Sequence, residues 1–122
     1  MKLELIDRLG DAGLTAIEAT SFVSPSWVPQ LADAEEVMAG LQRRPGVRYP
    51  VLTPNQRGFD RAVAAGADEV AVFVSATETF AARNLNSTVE GALAMASPVI
   101  ENARARGTVS YTHLTLPTTP YV

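Results

Sequence analysis

The run Ile17-Glu18-Ala19-Thr20-Ser21-Phe22-Val23-Ser24-Pro25 carries a carboxylate and three hydroxyls out of an apolar stretch of strand length and into a loop. In parallel α/β proteins ligands gather at the carboxyl ends of the strands, which makes Glu18 the first candidate for a chemical role. The competing reading is that Glu18 merely ends the strand, facing solvent or an arginine on a neighbouring strand. A second group, Arg43, Arg44 and Arg48 with Arg57 and Arg61 further on, is read as a solvated helix end and loop, with a phosphate site as the alternative. The single histidine, His113, sits in a threonine- and proline-rich tail and is assigned no ligand or acid–base role.

These residues need elements to position them. Lys2 to Ala12 sets Leu3, Leu5, Ile6 and Leu9 at helical spacing, with Gly13 as the glycine after the helix end. Thr15 to Ala19 has strand length, Leu31 to Arg44 is helical until Pro45-Gly46, and Arg48 to Leu52 is the next strand. Thr53-Pro54-Asn55 starts a helix over Arg57 to Ala65, closed by Gly66, and Glu69 to Val74 is a strand buried on both faces. A polar loop over Ser75 to Asn86 then leads to a helix from Thr88 to Arg106, capped by Ser87 or Thr88 and kinked or broken at Pro98.

Alternating helices and strands predict a parallel α/β sheet. Asp7-Arg8, Ala12-Gly13 and Ile17 recur 53 residues later as Asp60-Arg61, Ala65-Gly66 and Val70. That offset is two units of about 25 residues, which is compatible with a β/α barrel, an open sheet with helices on both sides being the other arrangement.

With 122 residues, 47% of them hydrophobic, the chain has the size and composition of one globular domain. It has no cysteine, which excludes disulfides and thiolate metal sites, and a cytoplasmic location is expected. A net charge of −3 gives no reason to expect a nucleic-acid partner, and no apolar run nears the ~20 residues of a membrane span. From Thr108 onward charged residues vanish, so residues 1–107 are read as the domain and 108–122 as a non-native tail. Tyr111-Thr-His-Leu-Thr-Leu-Pro-Thr118 is similar to translated sequencing-adapter DNA.

Three blocks in order resemble one family. They are Ser21-Phe22-Val23-Ser24-Pro25 with Trp27-Val28-Pro29-Gln30 and Ala32-Asp33; Tyr49-Pro50-Val51-Leu52-Thr53-Pro54-Asn55 with Gly58-Phe59; and Gly66-Ala67, Glu69-Val70, Phe73, Ser75-Ala76, Glu78, Phe80, Asn84, Asn86 and Glu90. The family is the 3-hydroxy-3-methylglutaryl-CoA lyases, and the likeness runs from about Lys2 to Gly107. It implies a barrel enzyme that cleaves this acyl-CoA substrate to acetyl-CoA and acetoacetate, using a divalent cation, Mg²⁺ or Mn²⁺. Leucine breakdown and ketone-body formation are the implied settings, with a homo-oligomer left open.

The resemblance also implies what is missing. The family's Arg-Asp pair on the first barrel strand is expected before Met1, and its His-x-His strand, catalytic cysteine loop and metal-binding asparagine after Gly107. The chain is therefore expected to be an internal fragment, about three to four β/α units of a (β/α)8 TIM barrel, inactive alone and prone to aggregate or dimerise. Of the family's functional positions, Glu18 carries over as a carboxylate that orients the missing arginine and supports proton transfer. Ser21 is expected to fix the following loop by hydrogen bonding. Asn84 and Asn86 are expected near the acyl group, loop-shaping Asx turns being the alternative. Trp27 either caps the barrel rim or packs in a helix-loop joint. A related acyl-CoA lyase or synthase, and a non-catalytic α/β binding domain, are the competing readings.

Overall fold

One backbone device closes three of the helices. Gly13, Gly66 and Gly107 all have positive φ, at 93°, 84° and 71°. Leu14 N donates to Leu9 O, Ala67 N to Ala62 O and Thr108 N to Ala103 O, while each glycine N–H donates to the carbonyl three residues back. This is the Schellman pattern, in which a left-handed glycine lets the chain reverse and feed the next strand. The first two instances lie 53 residues apart, so the internal repeat read from the sequence is a repeat of structure.

The computed structural model describes residues 1–115, apart from the side chains of Asn84 and residues 111–115. The order is α1 (Lys2–Asp11), β1 (Thr20–Ser21), a 3-10 turn (Pro29–Leu31), α2 (Ala34–Gly40), β2 (Val51–Leu52), α3 (Gln56–Ala64), β3 (Glu69–Ser75), α4 (Glu78–Leu85), α5 (Val89–Arg106) and β4 (Val109–Thr115). All four strands are parallel and lie in the order β1-β2-β3-β4. The α/β class and the parallel sheet are as expected.

One face of the sheet is packed by helices. Phe22, Val51, Val70, Val72 and Val74 meet Ala34 and Met38 of α2, Phe59 and Ala62 of α3, and Val99 and Ala103 of α5. A smaller cluster joins Ile6 of α1 and Val37 of α2 to Ile17 and Tyr49. The other face carries Ser21, Leu52, Ala71 and Phe73, by strand alternation and register.

Three expectations are corrected. The helix over Leu31 to Arg44 is shorter: Leu41 is extended at ψ 123°, and the segment after α2 brings the Arg44 guanidinium to Asp7 and Asp11 of α1 at 2.6 and 2.8 Å. The loop over Ser75 to Asn86 contains α4, started by Thr77 Oγ1, which accepts from Phe80 N at 3.2 Å, and ended by left-handed Asn86. Helix α5 is continuous through Pro98, so of the two outcomes expected there the break does not occur; proline removes one donor, but the helix is anchored on both sides by buried Ala92, Ala96, Val99 and Ala103. Thr88 is its N-cap, accepting from Gly91 N at 2.9 Å.

The tail boundary is not marked by an end of structure. Residues 109–115 form β4, paired with β3 from Glu69↔Val109 to Ser75↔Thr115. Residues 116–122 lie outside the described residues.

Candidate functional site at the carboxyl ends of the strands

The first strand is longer than its two-residue ladder, and it is irregular. Ala16 bridges Arg48, whereas Thr20 pairs with Val51, so four steps on one strand face three on the other. The hydrogen bonds locate the extra residue: Ile17 N donates to Arg48 O, Ala19 N to Pro50 O, and the next donor is Phe22 N, to Leu52 O. This is a β-bulge over Ala19 to Ser21, beside Pro50, which has no N–H to offer a regular ladder.

The bulge reverses the alternation. Before it, Ile17 lies on the helix face; after it, Phe22 does. Glu18 and Ser21, three residues apart, therefore share the other face, where an unbroken strand would set them on opposite sides. Glu18 is exposed there. One row along, Ser21 stands level with Leu52 and Ala71.

Ser21 opens into a cleft of about 540 Å³ above the strand ends. Its lining includes the apolar Trp27, Leu52, Phe73 and Leu85 and the polar residues Ser21, Ser24 and Asn55. Trp27 is 60% exposed and sits at this rim rather than in a packed joint. The Ser21 hydroxyl is buried without a hydrogen-bond partner among the described residues, as are those of Thr20 and Ser75.

The expectation that Ser21 fixes the loop by hydrogen bonding is thus corrected; other groups hold it. A Cβ on Gly58 would lie 2.6 Å from Phe22 O, so only glycine lets α3 approach the loop this closely. The Arg61 guanidinium stacks 5.3 Å from the Phe22 ring centre, donates to Val23 O at 3.4 Å, and forms a two-pronged pair with Glu35 at 2.7 and 3.0 Å. Beyond it Ser24 Oγ and Ser26 Oγ are 2.8 Å apart. Asn55 caps α3, accepting from Gly58 N at 2.9 Å.

The arginine group is largely absorbed by carboxylates. Arg43 pairs with Asp68, Arg44 with Asp7 and Asp11, Arg48 with Glu69 and Arg61 with Glu35. These pairs favour the solvated reading over a phosphate site. The hydrogen bond from Arg61 holds the Glu35 carboxyl below its usual range, against the opposing effect of desolvation. The Arg48–Glu69 pair, at 2.8 Å, is the polar feature sequence reasoning missed: Glu69 is buried at the start of β3, on the same face as Glu18. A carboxylate opening an otherwise apolar strand was the available signal.

Asn86 is exposed and serves as the left-handed C-cap of α4 at φ 50°, a geometry asparagine tolerates well. Asn84 lies in α4, and its side chain is outside the described residues. The structure therefore brings Glu18 and Ser21 to one face and places Ser21 at the cleft, while Asn86 is not among the cleft's lining residues. No group of three or more His, Cys, Asp or Glu side chains able to hold a metal occurs among the described residues. No helix among them is long and apolar enough to cross a membrane.

The HMGL-like family model matches residues 1–117. The mitochondrial hydroxymethylglutaryl-CoA lyase of Bos taurus is 54% identical over 107 residues, 88% of this chain and 33% of that protein. The cytoplasmic 3-hydroxy-3-methylglutaryl-CoA lyase of Mus musculus is 50% identical over 122 residues, all of this chain and 33% of that protein. Among solved structures, the HMG-CoA lyase of Brucella melitensis superposes with a TM-score of 0.87 at 53% identity, covering 92% of this chain and 40% of that one. The chain thus spans about a third of the length of these curated relatives.

Proposed function

The chain belongs to the HMGL-like family, and from that premise we propose that it is a segment of a 3-hydroxy-3-methylglutaryl-CoA lyase. The activity of the whole protein is then a retro-Claisen cleavage. A base takes the proton of the tertiary hydroxyl, the carbon–carbon bond breaks to release acetoacetate, and the acetyl-CoA enolate left behind is protonated. The four parallel strands are a part of a (β/α)8 barrel, and the cleft at their carboxyl ends is where such barrels place their chemistry.

The observation that carries the reading for this segment is the bulge that sets Glu18 and Ser21 on one face beneath the cleft. Glu18 is a positioning carboxylate: it orients and charge-balances an arginine supplied by the rest of the barrel. Ser21 offers a hydroxyl that has no hydrogen-bond partner among the described residues, suited to a substrate oxygen. Asn84 and Asn86 are kept as contacts to the acyl group.

A divalent cation, Mg²⁺ or Mn²⁺, supplies polarisation of the substrate's hydroxyl and carboxylate oxygens when bound. The described residues do not fit it by themselves, since they bring no sufficient set of ligands together. We place residues 108–122 outside the native domain, on the loss of charge after Arg106. A reducing compartment suits a chain without cysteine, and the cytoplasm is proposed.

The test is a graft. Residues 1–107 replace the matching third of the Brucella melitensis enzyme, and cleavage of the hydroxymethylglutaryl thioester is followed with Mg²⁺ present. We expect the graft to turn over and the 122-residue chain alone not to. Glu18→Gln in the graft should lower kcat by about 10–100-fold with little change in KM. A folded graft without activity, or activity indifferent to Glu18→Gln, overturns the assignment.

A further inference from the structure

Half of the cleft's lining comes from one stretch of chain. Ser21, Val23, Ser24, Trp27, Val28 and Leu31 all belong to β1 and the segment that joins it to α2, while the rest comes from β2 and the turn after it, β3, α4 and α5. The shape of that wall is therefore the shape of this segment.

The segment is a loop with close ends. Trp27 N and Val28 N donate to Ser24 O, Leu31 N to Val28 O and Ala32 N to Pro29 O, all within the loop. Such bonds shape its turns without fixing where it stands against the helices. That is decided at its two ends, and both come to one side chain. Arg61 of α3 donates from Nη1 to Val23 O at 3.4 Å where the chain leaves the sheet, and from Nε and Nη2 to the Glu35 carboxylate at 2.7 and 3.0 Å where it enters α2. The same guanidinium lies 5.3 Å from the Phe22 ring centre. Lys2 makes a second tie, to Gln30 O and to Asp33 at 2.6 Å, but it reaches only the returning side and is in solvent.

Arg61 works from behind the wall. It lines a separate hollow with Phe22, Ser24 and Pro25 and is not among the cleft's lining residues. All three of its nitrogens are engaged, which requires a planar fork rather than a single ammonium.

We propose that Arg61 is a positioning residue for substrate binding: by tying Val23 to Glu35 it holds the wall that carries Ser21, Ser24 and Trp27 in place for the acyl-CoA substrate. The inference rests on the reading of the cleft as an acyl-CoA site. Its loss loosens the wall and weakens binding, while substrate that has bound reacts as before.

The test uses the graft. Arg61→Ala should raise KM for the hydroxymethylglutaryl thioester by about 5–20-fold, with kcat within about two-fold of the unsubstituted graft. Arg61→Lys keeps the charge but not the fork and should behave as the alanine variant does. A lower urea midpoint with KM unchanged marks a role in stability alone and overturns the proposal, as does a loss confined to kcat. Because Arg61→Ala can also fail to fold, Glu35→Gln provides a second variant; it keeps the side chain's shape and should raise KM by about 2–5-fold, an unchanged KM again overturning the proposal. Trp27 is the chain's single tryptophan, which allows a reading without turnover. The anisotropy decay of Trp27 in the 122-residue chain should gain a nanosecond component in Arg61→Ala, and an unchanged decay overturns the positioning role. An unsubstituted graft without activity counts against the lyase reading and not against the tie, which the Trp27 decay then decides.

Discussion

Glu18 and Ser21 stand on the same face of the sheet although they are three positions apart, because the strand carries one residue more than its neighbour between Ala16 and Thr20. In an unbroken strand of the same sequence, with no bulge to absorb that residue, the carboxylate and the hydroxyl would lie on opposite sides. The local geometry of the site is thus set by a ladder irregularity that begins just after the Ala19 N to Pro50 O bond.

Deleting Ala19 removes the extra residue and leaves an unbroken register in which Ile17 and Phe22, then four positions apart, both still face the helices. The expected cost is small, about 1 kcal/mol for the contacts of Ala19 itself, read as a slightly lower urea midpoint. Ala19→Gly keeps the bulge and should cost about 0.5–1 kcal/mol. A loss of about 3 kcal/mol or more on deletion would show that the ladder does not close up across the missing residue.

Gly58 is the point of closest approach between α3 and the loop after β1. Gly58→Ala sets a methyl group 2.6 Å from Phe22 O, a backbone atom that cannot rotate away. Destabilisation of about 1–3 kcal/mol should follow. The Trp27 fluorescence should change with it, because Phe22 anchors the loop that carries Trp27; an unaltered spectrum with unaltered stability would show that the loop is held elsewhere.

Glu69 is 6% exposed, and its carboxylate is held by Arg48, whose side chain is mostly in solvent. Arg48→Met leaves the carboxylate buried without that partner and should cost about 1–3 kcal/mol. Glu69→Gln in the Arg48→Met background should recover part of the loss, since a neutral amide is cheaper to bury. A double variant no more stable than Arg48→Met would assign the loss to packing.

Acid should release the pair that clamps the loop. The hydrogen bond from Arg61 sets the Glu35 carboxyl below its ordinary 4.5 in the folded chain. The unfolded chain therefore takes up the proton first. This contribution is complete above pH 4.5 and is lost as the pH falls through the lowered folded value. Both side chains are partly in solvent, so the amount is at most about 1 kcal/mol. Stability measured from pH 6 to 3 should fall less steeply in Glu35→Gln than in the parent chain.

The sequence by itself determined the parallel alternation of helices and strands, because glycine at a helix end and apolar period are local properties. Gly13, Gly66 and Gly107 each end a helix by bonds within a few residues, and the run Glu69 to Val74 can bury both faces only inside a sheet. Its ordered blocks also identified the family. Helix α4 was legible in principle, from Thr77 and the spacing of Phe80, Ala81 and Leu85, but the polar residues between them masked the period. Only the tertiary structure decided that Ser21 faces the cleft on the side of Glu18, that Arg44 meets Asp7 and Asp11, and that Arg48 belongs to Glu69. Each depends on register or on residues far apart in the chain, and a one-residue bulge, invisible to any local pattern, reverses which side chains meet.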